Sequence, residues 1–361
     1  MNVAIGFRPR KGPWGGGNQF AAAMTTFLQQ RGHGVWFALD RPDLDVIVLT
    51  EPRRSSASSA FNDADVWRYL TGVNRRAVVI HRVNECDERK NTRWTNGRLA
   101  VANRCADHTV FISSWLRDLF RAGRHRMAEP SVILNGADQQ VFHATGGAAW
   151  DGTGKVRLVT HHWSAHWMKG FDIYTRLDAL LARPPFDDLF EFTYIGSLPA
   201  GVALPRTRVV APLSGQALAD ELRRHHVYVT ASRHEPAGMH HIEGALCGLP
   251  LLYVLSGALP EYCDGFGIPF DGATFEDRLL DIRGQYAGLQ SRMAAYPHTA
   301  VTMCRAYEAL FDMLLSRRED ILAGRRWNRV SAQGARAGAI LSDVWYRMTL
   351  RLERAGHRPT A

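Results

Sequence analysis

The chain is poor in several things that would direct its interpretation. It has no uninterrupted run of about 18 apolar residues, so a membrane-spanning helix is not expected. Its five cysteines (Cys86, Cys105, Cys247, Cys263 and Cys304) are scattered without C-x-x-C spacing. Neither a disulfide framework nor a cysteine zinc site is therefore indicated. The G-x-G-x-x-G dinucleotide fingerprint is missing from its glycine-rich loop, which argues against a nicotinamide oxidoreductase. No short internal repeat is found. Lysine is scarce, with only Lys11, Lys90, Lys155 and Lys169 among 44 basic residues. The N-terminus, Met1 to Phe7, lacks a basic region followed by a long apolar stretch and reads as a first strand rather than a signal peptide. A cytoplasmic protein is the expectation.

What is present fits a folded protein of two domains: 361 residues, 46% apolar and 22% charged. The net charge of +9 is uneven. Residues 316–361 hold ten arginines against four acids, which accounts for +6. A basic face of this kind suits an acidic lipid, a phosphorylated substrate or nucleic acid, or is a plain solvated helix. The solvated helix is preferred, and no nucleic-acid partner is expected. The same segment carries an apolar stripe, Ile340, Leu341, Val344, Trp345, Met348 and Leu352, which is expected to dock on the protein's own body.

Short apolar runs alternate with helical segments, the signature of parallel sheets with crossover helices. Strands are expected at 3–7, 35–38, 46–49, 77–80 and 108–112, and after a turn-rich stretch at 144–154 again at 156–160, 190–195, 208–210, 227–230 and 251–254. The domain spans are then 1–150 and 151–315, followed by a basic helical segment, 316–361, bracing the N-terminal domain. Two such α/β halves hold a ligand in the cleft between them, at strand carboxyl ends.

The chemistry concentrates in Glu235-Pro236-Ala237-Gly238-Met239-His240-His241-Ile242-Glu243. A residue before proline is biased to extended backbone, and proline suits the first position of a helix. Glu235 is thus expected in a loop and Glu243 about two turns into the following helix. Free N–H groups near Gly238 and Met239 form an anion site between the two carboxylates. Two hydroxyl-binding carboxylates around a phosphate cradle describe a pocket for a sugar nucleotide. Lys169, before a glycine on a loop after a strand, fits a point charge for phosphate, or caps a turn at the surface. His161, His162 and His166 precede it without a carboxylate at ligand spacing, so a metal site is not expected. The loop Gly15-Gly16-Gly17 between first strand and first helix permits close approach of a phosphate or sugar, and reads equally as a tight turn. His81 is expected to follow a strand directly and open the polar loop Arg82-Val83-Asn84, where loops carry function in such folds.

Together these residues resemble the family 4 type of retaining glycosyltransferases of GT-B fold. Glu235 to Glu243 reproduces the E-x7-E motif of that family, Asn135-Gly136-Ala137-Asp138 resembles its run before the interdomain linker, and Gly257-Ala258-Leu259-Pro260-Glu261 its segment ending in Pro-Glu. The resemblance implies two Rossmann-like domains facing a cleft, with a C-terminal helix. It implies Glu243 on the donor ribose, Glu235 on hydroxyls of the donor sugar, and Lys169 on its phosphates. Gly15, Gly16 and Gly17 would close over phosphates or acceptor, and His81 would approach the donor sugar near the reacting carbon. The family's arginine before the lysine is missing, and His161, His162, Arg233 or Arg8 would stand in its place. Arg82, Asn84 and Trp14 are acceptor-side or phosphate candidates.

The activity so implied is retaining, metal-independent transfer of a sugar from a nucleotide-sugar to an acceptor hydroxyl, in polysaccharide or other glycoconjugate biosynthesis. No cofactor is implied beyond the nucleotide-sugar co-substrate. The acceptor is a sugar, a lipid-linked species or another hydroxyl compound, and a peripheral contact of the basic tail with the inner face of a membrane goes with the lipid-linked case. A nucleotide-sugar epimerase on the same fold, and a non-catalytic sugar-nucleotide binding protein, are the alternatives.

Overall fold

The structure, a computed structural model, describes residues 1–10, 12 and 15–356, with backbone alone over 353–356. The chain divides into two compact units, one of residues 1–10, 17–134 and 304–361, the other of 11–16 and 135–303.

The first unit runs β1 (Asn2–Ile5), α1 (Gly16–Gln30), β2 (Gly34–Trp36), β3 (Val46–Leu49), α2 (Asp63–Gly72), β4 (Val78–Val83), α3 (Asp87–Lys90), α4 (Thr95–Ala102), β5 (His108–Phe111), α5 (Ser114–Ala122) and β6 (Pro130–Val132). Its six strands are all parallel, in the order β2-β1-β3-β4-β5-β6. Strand β3 is a continuous Val-Ile-Val-Leu run with every residue buried, as a parallel strand covered on both faces requires. Helix α2 starts at a capping box, in which Asn62 Oδ1 accepts from Asp65 N and Asp65 Oδ2 accepts from Asn62 N, each at 3.1 Å.

The second unit runs β7 (Val156–His162), α6 (Phe171–Leu180), α7 (Phe186–Leu189), β8 (Phe190–Gly196), β9 (Arg208–Val210), α8 (Gly215–Leu222), β10 (Val227–Thr230), α9 (Met239–Leu246), β11 (Leu251–Val254), α10 (Leu259–Cys263), β12 (Gly267–Phe270), α11 (Phe275–Gly284) and α12 (Tyr286–Arg292). Its parallel sheet has the order β12-β11-β10-β7-β8-β9. The core packs Phe171, Tyr174 and Leu177 of α6 with Phe192 and Tyr194 of β8 and Phe275 of α11. Helix α13 (Ala300–Ser316) returns the chain to the first unit, where α14 (Arg318–Gly324) and α15 (Arg329–Gly356) complete it.

Several expectations are corrected. The chain changes unit at 134/135, before the turn-rich stretch, because that stretch is tied down within the second unit. Ala148 N donates to Arg223 O at 3.0 Å and Trp150 N to the Tyr286 hydroxyl at 3.1 Å. The C-terminal helix α15 packs on α2 and α4, inside the first unit. The face it buries is not the apolar stripe but Ala332, Ala339, Asp343 and Tyr346, while Leu341, Trp345, Met348 and Leu352 point outward. Small residues allow the close approach to α2, and Asp343 meets the buried Arg98 of α4, 3.8 Å away. Strands β6 and β12 were not anticipated, since each contains a proline (Pro130, Pro269). Both are edge strands, where proline is tolerated. Gly16 and Gly17 open helix α1 instead of forming a loop.

Candidate active site

In an open parallel sheet, ligands bind at the carboxyl ends of the strands where the strand order reverses. In the second unit that point lies between β7 and β10, and the singled-out residues of this unit converge on it. From β7 the chain passes His161 and His162, turns, and reaches Lys169. From β10 it passes Thr230 and Ala231 to Glu235, and then enters α9.

Backbone contacts hold the two segments together. Arg233 N donates to Met168 O at 2.8 Å. Gly170 has φ +89°, and a Cβ there would lie 2.3 Å from Ala231 O, so only glycine fits beside Lys169. A third segment, after β11, clamps Glu235. Ala258 N donates to Glu235 O at 2.8 Å, His234 N donates to Ser256 Oγ at 2.9 Å, and a Cβ on Gly257 (φ +62°) would sit 2.5 Å from Glu235 N. His234 itself has φ +48°, an unusual backbone for a non-glycine residue and one common near sites.

The clamp explains a correction. Glu235 is in a loop, as expected, but the helix starts at Met239 rather than at Pro236, with Gly238 extended at its N-cap (φ −70°, ψ 146°). Glu243 is therefore little more than one turn into α9. The N-cap of α9 is Gly238, which has no side chain to cap the helix, and Glu235 lies close to this helix start. A Cβ on Gly238 would come within 2.4 Å of His240 Cε1 and 3.1 Å of Glu235 Cδ.

Both carboxylates are nearly enclosed and both hold a basic partner. Lys169 Nζ donates to Glu235 Oε2 at 2.6 Å. His161 Nε2 donates to Glu243 Oε2 at 2.6 Å, and the Tyr228 hydroxyl lies 3.1 Å from His161 Nδ1. His162 faces the other side of the strand, its Nε2 2.7 Å from the Tyr174 hydroxyl. His240 Nε2 is 2.8 Å from Thr230 Oγ1. Burial, with His162 and Lys169 nearby, holds His240 well below the usual imidazole range. Burial likewise lowers His241 to about 3, and neither of its ring nitrogens has a hydrogen-bond partner. These two imidazoles are neutral near pH 7. Lys169 brings a positive charge to Glu235, beside the start of α9. Tyr228 and the clamp at Ser256 and Gly257 carry no local sequence signal, and His161, expected as a stand-in for the missing arginine, is found on Glu243.

His81, Arg82 and Asn84 lie in the first unit. Strand β4 runs on to Val83, so His81 and Arg82 are strand residues and the loop opens at Asn84. His81 is wholly enclosed. Its Nδ1 accepts from Asn103 Nδ2 at 3.1 Å, and burial, with Arg98 near, lowers its pKa to about 3. Arg82 lies 4.0 Å from the centre of the Phe20 ring and donates to Thr50 Oγ1 at 3.4 Å. The polar side chains do not open a loop here: Asn103, Thr50 and Phe20 accompany them in the interior and the strand goes on. Gly15 is exposed just ahead of α1, and Trp14 lies outside the described residues. Among the described residues no group of three or more His, Cys, Asp or Glu is arranged to hold a metal ion.

No protein-family model and no curated protein matches the chain. Solved structures do. The sucrose-phosphate synthase of Thermosynechococcus elongatus aligns over 88% of this chain and 99% of its own, with TM-score 0.61 and 13% identity. Anabaena HepE, solved in complex with UDP and glucose, aligns over 87% and 100%, with TM-score 0.62 and 15% identity. AviGT4, a glycosyltransferase of avilamycin A biosynthesis, aligns over 88% and 98%, with TM-score 0.56 and 15% identity. The fold is GT-B. At such identities the likeness concerns architecture, and the six-stranded sheets of both units are those of the GT-B fold.

Proposed function

We propose that this protein is a retaining glycosyltransferase of the family 4 type, moving a sugar from a nucleotide-sugar donor to an acceptor hydroxyl. The observation that carries the reading is the Lys169–Glu235 pair beside the start of α9, with Glu243 one turn further on. HepE, of the same fold, has been solved with UDP and glucose and with UDP-glucose, which supports a nucleotide-sugar donor here. Glu243, oriented by His161, takes the ribose hydroxyls; Glu235 takes hydroxyls of the sugar; Lys169 and the N–H groups at Gly238 and Met239 take the diphosphate.

In the transfer, the bond from the anomeric carbon to the phosphate oxygen breaks while the acceptor oxygen bonds to that carbon from the same face. The acceptor's proton passes to the leaving phosphate. Negative charge builds on that phosphate, where Lys169 and the helix dipole are fixed in advance and need no reorganisation. No step calls for a metal ion.

A thermal-shift screen against nucleotides and sugar nucleotides, followed by product analysis with added acceptors, tests the proposal. A bound donor raises the melting temperature by mass action. The expected result is stabilisation by one nucleoside diphosphate and its sugar ester, acceptor-dependent release of that nucleotide, and retained anomeric configuration in the product by NMR. Nucleotide-sugar conversion without acceptor, or full activity only with a divalent ion after EDTA treatment, would contradict it.

A further inference from the structure

The apolar stripe of α15 faces away from the protein. Leu341, Trp345, Met348 and Leu352 are 68%, 47%, 58% and 71% exposed, and Val330 and Val344 extend the same face. At 100° per residue, positions 330, 337, 341, 344, 345, 348 and 352 fall on one side of the helix, opposite the buried Ala332, Ala339, Asp343 and Tyr346. Arg336, Arg347 and Arg351 form a row along one border of the stripe. On the other side Trp94, itself exposed, meets Trp345 edge to face with ring centres 4.4 Å apart, and the exposed Arg93 precedes it. Over residues 329–352 the helix carries four arginines and a single acid, Asp343, which is buried.

We propose that this face of α15, with Trp94, is a docking surface for an anionic lipid bilayer. An exposed apolar patch edged by cations is the pattern of helices that lie in a membrane interface, where aliphatic side chains enter the acyl boundary and arginines remain among the headgroups. The opposite face of α15 is fixed on α2 and α4, so the helix lies flat along its unit and presents the whole stripe side-on. Tryptophan suits this depth, having an apolar body and a polar N–H. Charge decides between occupants. A second copy of the chain would bring a second arginine row and, among the described side chains of α15, no exposed acid to meet it, whereas phosphatidylglycerol supplies the opposite sign. This surface stands independently of the sugar-transfer reading, since it uses none of the residues assigned to the donor.

The test is co-sedimentation of the full chain with vesicles of phosphatidylcholine alone and of phosphatidylcholine containing phosphatidylglycerol. Pelleting is expected with the anionic vesicles only, and to weaken as salt is raised. The double substitution Leu341→Asp, Met348→Asp should abolish it with an unchanged thermal melt, because both side chains are already in solvent. Arg347→Glu with Arg351→Glu should weaken it by at least the roughly fivefold per cation expected near an anionic surface. Equal recovery in the supernatant with both vesicle types would overturn the proposal. So would a dimer in analytical ultracentrifugation that Leu341→Asp, Met348→Asp converts to monomer, since the face would then belong to a second copy.

Discussion

At the scale of the residue, the Lys169–Glu235 pair combines a structural and a chemical demand. A buried pair adds little net stability, but breaking it strands a charge, at a cost of about 3–5 kcal/mol. Lys169→Met should therefore lower the urea midpoint, and adding Glu235→Gln should recover most of that loss. Transfer should not recover, because the charge that meets the leaving phosphate is gone; a fall of about 100-fold or more is expected in both variants. A double variant as active as the unaltered protein would limit the pair to structure. Glu243 differs in its partner, which is the imidazole of His161 rather than a lysine. Glu243→Gln keeps the shape and removes the charge, so nucleoside diphosphate affinity should fall roughly tenfold, as befits losing charged hydrogen bonds. Calorimetric titration with UDP and with inorganic pyrophosphate separates the parts, because only the compound bearing ribose should register the change.

At the scale of the element, what was legible in the sequence depended on whether a signal was local. The continuous apolar runs of β3, β7, β8, β10 and β11 announced a parallel architecture, and the glutamate spacing announced a loop followed by a helix. The start of that helix was illegible, because the force that keeps Pro236 and Ala237 out of it comes from Ser256, Gly257 and Ala258, a separate segment of the unit. His81 and Arg82 were misread for the same reason, since the partners that let a strand bury them, Asn103, Thr50 and Phe20, are remote in sequence. Helix α15 was read with the wrong face inward, because apolar periodicity identifies a stripe but not what covers it. Its true inner face makes a prediction. Ala339→Leu inserts volume on the buried inner face of α15 and should cost about 1–3 kcal/mol. Leu341→Ser, on the outer face, should leave the urea midpoint within about 0.5 kcal/mol of the parent. The reverse ranking would mean that the outer stripe is the packed one. Gly170 offers a sharper case within the loop before α6. Gly170→Ala meets both a left-handed backbone and a carbonyl oxygen at 2.3 Å, so either Lys169 must move or the unit must open. Loss of donor binding together with a lowered melting temperature is the expected result.

At the scale of the whole molecule, histidine links stability to acidity. His81 and His241 are lowered to about 3, and His226 and His298 to about 4. His240, His225 and His108 are shifted in the same direction, and burial is the leading cause in every case. Both units contribute, His81 and His108 in the first and the others in the second. Unfolding returns each ring to water, where its pKa is about 6.5. Above that value the rings are neutral in both states and contribute no slope. As pH falls below it the unfolded chain takes up protons that the folded chain refuses, so stability declines, and the decline continues until the folded rings themselves titrate near 3 to 4. Carboxylates act later and in the same direction. Glu85, buried and surrounded by Arg89, Lys90 and Arg53, is lowered to about 2, so its contribution is lost only as pH drops below the ordinary carboxylate range. The urea midpoint should accordingly be level between about pH 8 and pH 7 and fall steeply from about pH 6 to pH 5, before carboxylates titrate. Proton uptake on unfolding, measured by calorimetry in buffers of different ionisation enthalpy, should exceed two protons by about pH 5, since at least four rings titrate in that window. A midpoint that stays level down to about pH 4.5 would mean that these rings are solvated in the folded protein, and the enclosed environment described for His81 and His241 would then be wrong.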